Sequence, residues 1–189
     1  MYGLINRAIE EFLRSTYGEG LIQAVADEAA VSSDPSLPMY ADFGEAALGQ
    51  AALRLGKPQS EMYEDLGAWM TRVESIRRLL RFSGRDFRDF LLRLDELPGR
   101  VDLVLPTLRL PRLQIELDDH SVRLLMLEPS NGWQFLLVGL IRGMADDYGA
   151  LCLIAVEEVG LRIDIWDSQF SEGRTFTLQG LTLTGAASA

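Results

Sequence analysis

Residues that could act as nucleophiles or as general bases are scarce in this chain of 189 residues, which has one histidine, His120, and one cysteine, Cys152. His120 lies in the polar stretch 118–121, which is typical of a hairpin turn. Serine and cysteine hydrolases need an imidazole that a third group orients, and nothing near His120 completes such a set. Cys152 lies in the apolar run 151–156, where a buried and inert thiol is usual. We therefore predict that the protein is not an enzyme.

Carboxylates are abundant, and several of them are adjacent in the sequence: Asp118-Asp119, Asp146-Asp147 and Glu157-Glu158. Adjacent residues of a strand or helix do not share a face, so these pairs are poor cation clamps and are expected to be solvated. No glycine-rich phosphate loop is present. A carboxylate enzyme with a divalent cation is an alternative that rests on the acidic composition alone.

Arginine outnumbers lysine by 17 to 1, and five arginines fall between residues 77 and 88. One interpretation of this stretch is a docking face for an acidic partner. The other, which the sequence favours, is a solvated helix surface whose charges are neutralised by Glu74, Asp86 and Asp89. The arginines concerned are Arg77, Arg78, Arg81, Arg85 and Arg88.

The overall charge is −10, from 28 acidic and 18 basic residues, and 48% of the residues are hydrophobic. Such a chain repels phosphate backbones and anionic lipid, so we expect neither nucleic acid nor membrane as a partner. The first residues do not form a secretory signal, because Glu10 and Glu11 interrupt them. No run approaches the roughly 18–20 apolar residues of a membrane span. We expect a cytoplasmic protein.

Apolar periodicity divides the chain into a helical part and a mixed part, which predicts an α+β fold. Up to about residue 94 the spacing predicts only helices, at 4–13, 21–29, 43–55, 60–69 with Ser60 as the N-cap, 73–82 and 87–94. A loop is predicted at 32–38. Beyond it, a helix is predicted at 133–144 and antiparallel strands at 113–117, 122–127, 151–157, 161–166 and, as a short edge strand, 175–178. Gly160 is expected to separate two strands.

The methionines and tryptophans are expected to fill hydrophobic cores. Met70, Met126 and Met144 are interpreted as core residues rather than iron ligands. The three tryptophans are expected in a core or at an interface between lobes. They are Trp69, Trp133 and Trp166.

Four strings follow one another along the chain: MYG closed by YG at 17–18, FLLRLDEL at 90–97, prolines at 106 and 111, and FLLVGLIRG at 135–143. Their order and spacing resemble those of the haem nitric oxide/oxygen binding (H-NOX) family. The resemblance implies one domain over residues 1–185, with a helical lobe at about 1–60, a mixed lobe at about 61–185 and a tail at 186–189.

The cofactor of the family that the chain resembles is haem, whose iron is held by a histidine that follows an Asp-Glu-x string. Here that string, at 95–97, is followed by Pro98. Proline offers iron no donor atom, and with Gly99 it is expected to break the helix that carries the ligand. The proline that bends the haem, thirteen positions later in the family, is present as Pro111.

The family grips the haem propionates with a Tyr-x-Ser-x-Arg motif, and the matching stretch here is 128–132. Glu128 replaces the tyrosine and would repel a propionate, Ser130 is retained, and Gly132 replaces the arginine. Each lost charged hydrogen bond costs roughly 1.5–3 kcal/mol. The resemblance therefore implies a degenerate haem site, and we expect no bound cofactor.

Other alignments and ligands are weighed against this interpretation. Matching the motif to 119–123 keeps Ser121 and Arg123 but puts Asp119 at the tyrosine and lies too close to Pro98. Cys152 or a methionine could in principle ligate iron.

Two functions follow from the resemblance. The favoured one is a regulatory domain that acts through protein–protein contact, with a histidine kinase or a cyclic-dinucleotide enzyme as the partner. The alternative is a sensor that holds haem by another ligand, or another apolar molecule, between its lobes.

Overall fold

The computed structural model describes residues 2–32, 43–104, 110–118, 121–128 and 132–167. The helices are α1 Tyr2–Tyr17, α2 Glu19–Ser32, α3 Phe43–Leu55, α4 Gln59–Met70, α5 Glu74–Arg81, α6 Phe87–Leu92, α7 Leu97–Val104 and α8 Trp133–Tyr148, and a single 3-10 turn, Leu94–Glu96, precedes α7. The strands are β1 Leu113–Leu117, β2 Ser121–Met126, β3 Leu151–Glu157 and β4 Gly160–Asp167. These elements confirm the predicted α+β class.

The four strands form one antiparallel sheet in the order β1-β2-β4-β3. Alternation places one face of the sheet against the helices, so that Val122 and Leu124 of β2 and Leu161 and Ile163 of β4 are fully buried. Helix α8 packs on this face. The sheet therefore forms one wall behind α8 and leaves its other face to solvent.

Two hydrophobic cores meet along α4 and α8. The first core is formed by α1, α2, α3 and α4 around Phe12, Leu48 and Met62, and it extends to Leu136 of α8. The second core joins α5, α6, α8 and the sheet around residues such as Phe90. Trp133 packs against both cores.

Helices α4 and α8 approach one another closely because glycines line their contact. A methyl group at Gly67 would overlap the carbonyl oxygen of Leu136, and one at Gly139 would overlap the carbonyl oxygen of Glu64. A methyl at Gly143 would overlap the hydroxyl of Thr71. We call this contact the α4–α8 seam, and it fixes the distance between the two cores.

Several local expectations were wrong. Pro58, not Ser60, is the N-cap of α4. Gly160 is the first residue of β4 rather than a separator of strands. Pro98 and Gly99 do not break a helix: they lie in the first turn of α7, where a missing N–H leaves no intrahelical bond unmade. Trp166 is 69% exposed and belongs to neither core.

Other expectations were confirmed or lie outside the described residues. Helix α1 ends at Tyr17, and Gly18 adopts the left-handed conformation with φ of 89°. The loop predicted after Ser32, the strand at 175–178 and the tail at 186–189 lie outside the described residues. Among the helices that are described, none has the length and apolar character to cross a membrane.

Candidate functional site

An apolar cavity of about 280 Å³ lies where the two cores meet. Three elements supply most of its wall: α4 and α5 contribute three side chains each, and α8 contributes four. They are Leu66, Trp69 and Met70 of α4, Ile76, Leu79 and Leu80 of α5, and Trp133, Leu136, Leu137 and Leu140 of α8. Ala8 and Ile9 of α1 complete the side next to the first core.

The cavity wall offers very few polar atoms to a ligand. Every lining side chain is apolar apart from the indole N–H groups of Trp69 and Trp133 and the thioether of Met70. No carboxylate, guanidinium or imidazole is among them. A charged group would lose its hydration in such a cavity without compensation, whereas an apolar molecule would gain by leaving water.

Two of the residues singled out in the sequence meet at this cavity. Pro98 enters its wall from the first turn of α7 and is half-buried, while Pro111, just before β1, is buried. Leu97, Leu110 and Leu113 line the wall beside them. The structure therefore brings together the position of the family's iron ligand and the position of its haem-bending proline.

The residues of the degenerate propionate motif do not join them in the cavity wall. The carboxylate of Glu128 is half-exposed and accepts a hydrogen bond from Nε of Arg112 at 3.0 Å. Gly132 is the N-cap of α8 and has a φ of 82°. Ser130 lies outside the described residues. Neither of the two that are described supplies a cation, and the nearby guanidinium of Arg112 is already paired with Glu128.

An arginine could not replace Gly132 without a rearrangement. A Cβ atom at this position would overlap the ring of Tyr63 from α4, and the positive φ would strain any residue with a side chain. The ring of Tyr63 therefore occupies the space where the side chain of an arginine at position 132 would begin.

The remaining donors of interest lie elsewhere. Cys152 packs half-buried against the sheet core, and burial raises the pKa of its thiol, which makes it less reactive. His120 lies outside the described residues. Met126 and Met144 are buried in the sheet core, so Met70 contributes the one sulfur among the described lining residues.

Histidine-ligated haem does not fit the donor set that the structure describes. The position of the ligand is a proline, the neighbouring wall carries no imidazole, and the propionate corner presents Glu128 and a glycine. A lone thioether lacks the basicity of an imidazole nitrogen. Nor do three His, Cys, Asp or Glu side chains converge on a possible cation site in the described parts of the chain.

Helix α5, which forms one wall of the cavity, is fastened to the C-terminal end of α8. Asp147 was expected to be solvated, but its side chain is only 14% exposed and pairs with Arg77 at 2.6 Å. The guanidinium of Arg81 lies 3.8 Å from the centre of the Tyr148 ring. The Tyr148 hydroxyl donates to the carbonyl oxygens of Arg81 and Gly84. These contacts hold the wall in place from outside the cavity.

A polar cluster fastens α4 to α1 on the side away from the sheet. The hydroxyl of Tyr17 and the ammonium of Lys57 both donate to Asp65, at 2.5 and 2.8 Å. Partial burial raises the pKa of the Asp65 carboxyl, but the two hydrogen bonds and the nearby positive charges outweigh it and hold the pKa below its usual value. The Tyr17-Gly18 pair thus has a structural role.

Sequence reasoning missed most of the cavity wall and the role of Tyr63. The spacing of Ile76, Leu79 and Leu80 indicates an apolar helix face, but it cannot tell whether that face meets a core or a void. The contact between Tyr63 and Gly132 joins residues far apart in the chain, and only the glycine at the arginine position hinted at it.

Comparisons with known proteins agree with this geometry. The model of the haem-NO-binding family matches residues 2–154. An H-NOX protein from S. oneidensis in the Fe(II)NO ligation state superposes with a TM-score of 0.71 at 17% identity, covering 88% of this chain and 100% of that one. A mutant of the T. tengcongensis H-NOX gives 0.65 at 18% identity, with 88% and 98% covered.

A third solved structure, an oxygen-binding H-NOX domain related to soluble guanylate cyclases, gives a TM-score of 0.65 at 16% identity and covers 88% and 96%. At these identities the solved structures show the shared fold alone. No curated protein matches the chain.

Proposed function

Because the chain belongs to the haem-NO-binding family, we propose that it is a regulatory domain of the sensor type that does not hold haem through a histidine. The observation that supports this proposal is Pro98, which follows the Asp-Glu-x string where the family has its ligand histidine and which lines the cavity. The glycine and carboxylate at the propionate corner support it independently. We expect no catalytic activity from this domain.

The open cavity favours an uncharged apolar ligand as its occupant. On the sequence alone, a function through direct protein contact is favoured over a ligand sensor. A cavity filled by side chains would count against the sensor. Instead the space between the cores is open and its wall is apolar. Its volume lies near the lower end of the usual range for ligand pockets, about 300–1,000 Å³.

A regulatory domain also needs a target. We propose a signalling enzyme such as a histidine kinase or a cyclic-dinucleotide enzyme, contacted in the cytoplasm by one domain that spans residues 1–185. Ligand binding would then act by shifting the equilibrium between two arrangements of the cavity wall, to the extent that the ligand prefers one of them. Helix α5 is the element best placed for this, because it contacts both the cavity and the surface.

The absence of histidine-ligated haem is tested by an absorption spectrum. The full chain is expressed with ample haem, purified and examined between the ultraviolet and visible regions. We expect no stoichiometric Soret band, because the described wall supplies no imidazole and no cationic clasp. A stoichiometric band with the signature of histidine ligation would contradict the proposal.

The choice of ligand is tested with two fluorescent arenes of similar size, neutral aminoanthracene and negatively charged anthracene carboxylate. The neutral probe is expected to bind at least about tenfold more tightly, because the wall cannot compensate a desolvated charge. Equal binding of both probes, or of neither, would contradict the apolar-ligand assignment. That result would leave direct protein contact as the function.

A further inference from the structure

The outward side of α5 combines exposed aromatic and apolar surface with arginine. Phe82, the C-cap of α5, is 87% exposed and Leu79 is 44% exposed. Arg78 precedes Phe82 by four residues and its side chain is 70% exposed. Phe82 keeps helical backbone angles, so the residues three and four positions before it lie on the same side. We call Arg78, Leu79, Phe82, Arg85 and Arg88 the α5 surface.

The positive charge of this surface is not neutralised in the way that the sequence suggested. Asp86 was expected to pair with an arginine, but its carboxylate accepts from the backbone N–H of Asp89 and caps α6. The carboxylate of Asp89 accepts from Arg93 and from the backbone N–H of Arg85. Neither carboxylate forms an ion pair with Arg85 or Arg88, although Asp89 stays close enough to Arg85 for a weaker electrostatic attraction.

What remains is a local excess of positive charge in an acidic protein. Residues 72–93 hold seven arginines and three carboxylates, and Asp147 of α8 adds a fourth carboxylate by pairing with Arg77, while the whole chain has a net charge of −10. Glu74 pairs with Arg77 and Arg78. No described carboxylate pairs with the side chains of Arg85 and Arg88, which are exposed.

The surface is also held in a fixed shape. One hydroxyl, that of Tyr148, donates to the carbonyl oxygens of Arg81 at 3.1 Å and Gly84 at 2.9 Å. The segment that carries Arg85 is thereby kept beside the last turn of α5. A rigid surface loses little conformational entropy when a partner binds.

We propose that the α5 surface is the docking site for an acidic polypeptide segment that carries an apolar residue. The carboxylates would pair with Arg85, Arg88 and Arg78, whose forked guanidinium groups suit carboxylates. The apolar residue would cover Phe82, since exposed aromatic residues beside arginine are typical of the centres of protein interfaces. This proposal rests on the regulatory role proposed above, but not on what fills the cavity.

The distribution of charge over the chain favours a polypeptide over a larger anionic partner as the occupant of the α5 surface. The patch is confined to the end of α5 and the start of α6, and the rest of the chain carries an excess of carboxylates. An extended anionic surface, such as a lipid bilayer or a nucleic acid duplex, would face that repulsion as well as the patch. A short acidic segment contacts the patch alone.

The test uses a synthetic helical peptide of glutamate and leucine, its glutamine-for-glutamate counterpart, and vesicles that contain anionic lipid. Each is titrated into the full chain, with backbone amide chemical shifts as the readout. We expect the acidic peptide to bind, with an affinity that falls as salt is raised, and to move the amides of residues 78–88. The glutamine peptide and the vesicles should not do so.

Two variants and their matched controls decide the assignment. Arg85→Glu with Arg88→Glu, and separately Phe82→Ala, should each weaken peptide binding by about tenfold or more. Arg7→Glu and Leu53→Ala change an exposed arginine and an exposed large apolar residue elsewhere in the chain and should leave binding unchanged. All four variants should keep the melting temperature of the parent chain.

Several results would overturn the proposal. They are equal binding of the peptide to the patch and control variants, no binding at about 1 mM peptide, binding of the vesicles instead, and self-association that depends on Phe82. A large loss of stability in Phe82→Ala would mean that another part of the chain covers this residue. The absorption spectrum and the arene probes report on the cavity, so they can succeed or fail independently of this result.

Discussion

The α4–α8 seam and the cavity beside it are built from the same two helices, yet one is closed and the other is open. At the seam, Gly67 and Gly139 let the helix backbones touch. One residue away on each helix, Leu66 and Leu140 face the cavity. The difference shows that the void does not result from loose packing throughout. A rigid contact sets the spacing of the helices, and the side chains next to it do not fill that spacing.

A methyl group added at the glycine contact should lower the stability of the protein more than any other change described below. In Gly139→Ala the new methyl group meets the carbonyl oxygen of Glu64, so α4 and α8 must move apart. Overpacking of this kind costs about 3 kcal/mol in the free energy of unfolding, even though alanine is the better helix former. Denaturant unfolding measures the loss.

The matched control for that variant is Gly49→Ala in α3. There the new methyl would meet only the amide nitrogen of Gln59 at 3.7 Å, an ordinary contact. Stability should stay unchanged or rise by about 0.5–1 kcal/mol. If Gly139→Ala behaves like this control, the seam does not set the spacing of the helices.

Filling the cavity from α5 should remove ligand binding and leave the seam intact. Ile76 is half-buried and lines the void, so the larger ring in Ile76→Trp can enter space that is already open. We expect the affinity for aminoanthracene to fall by about tenfold or more, with little change in melting temperature. Fluorescence titration provides the measurement.

Leu53→Trp is the control for the bulk of the indole, because Leu53 is 76% exposed on α3 and does not line the cavity. It should bind the probe as the parent chain does. Undiminished binding to Ile76→Trp would show that the probe sits elsewhere, and the assignment of the cavity as the ligand site would be wrong.

The smallest effect is expected on the far side of α4, where Asp65 ties it to α1. Asp65→Asn removes the charged acceptor for Tyr17 and Lys57, and because the cluster is partly exposed the loss is about 1 kcal/mol at neutral pH. The folded state holds the pKa of Asp65 below its usual value. Its contribution is therefore present above the unfolded pKa of about 3.9 and is lost as the pH falls through the folded pKa.

The free energy of unfolding is measured at about pH 7, where the Asp65 carboxyl is charged, and at about pH 3, where it begins to take up a proton. The difference in stability between the parent chain and Asp65→Asn should shrink at the lower pH. A difference that is independent of pH would mean that packing, rather than charge, accounts for the role of Asp65.

The sequence by itself determined the α+β class and the type and order of most elements, although helix α7 was not predicted. It also supplied the substitutions on which the proposal of a degenerate haem site rests. Periodicity places the helices and strands because each element must turn one apolar face inward, and that requirement acts over neighbouring residues. It erred where local rules compete, as at Ser60 and at Pro98, because proline is excluded from helix interiors but accepted in a first turn. The substitutions at 98, 128 and 132 could be recognised because the family's motifs are short and continuous in the chain.

Only the tertiary structure decided which apolar faces meet and which leave a space. The cavity depends on Gly67 and Gly139, which set the spacing of α4 and α8, and on the anchoring of α5 by Asp147. Each of these contacts joins residues that are distant in sequence, so no local pattern specifies it. The same reason hid the hydrogen bonds of Asp86 and Asp89, which leave Arg85 and Arg88 without an ion pair to a described carboxylate.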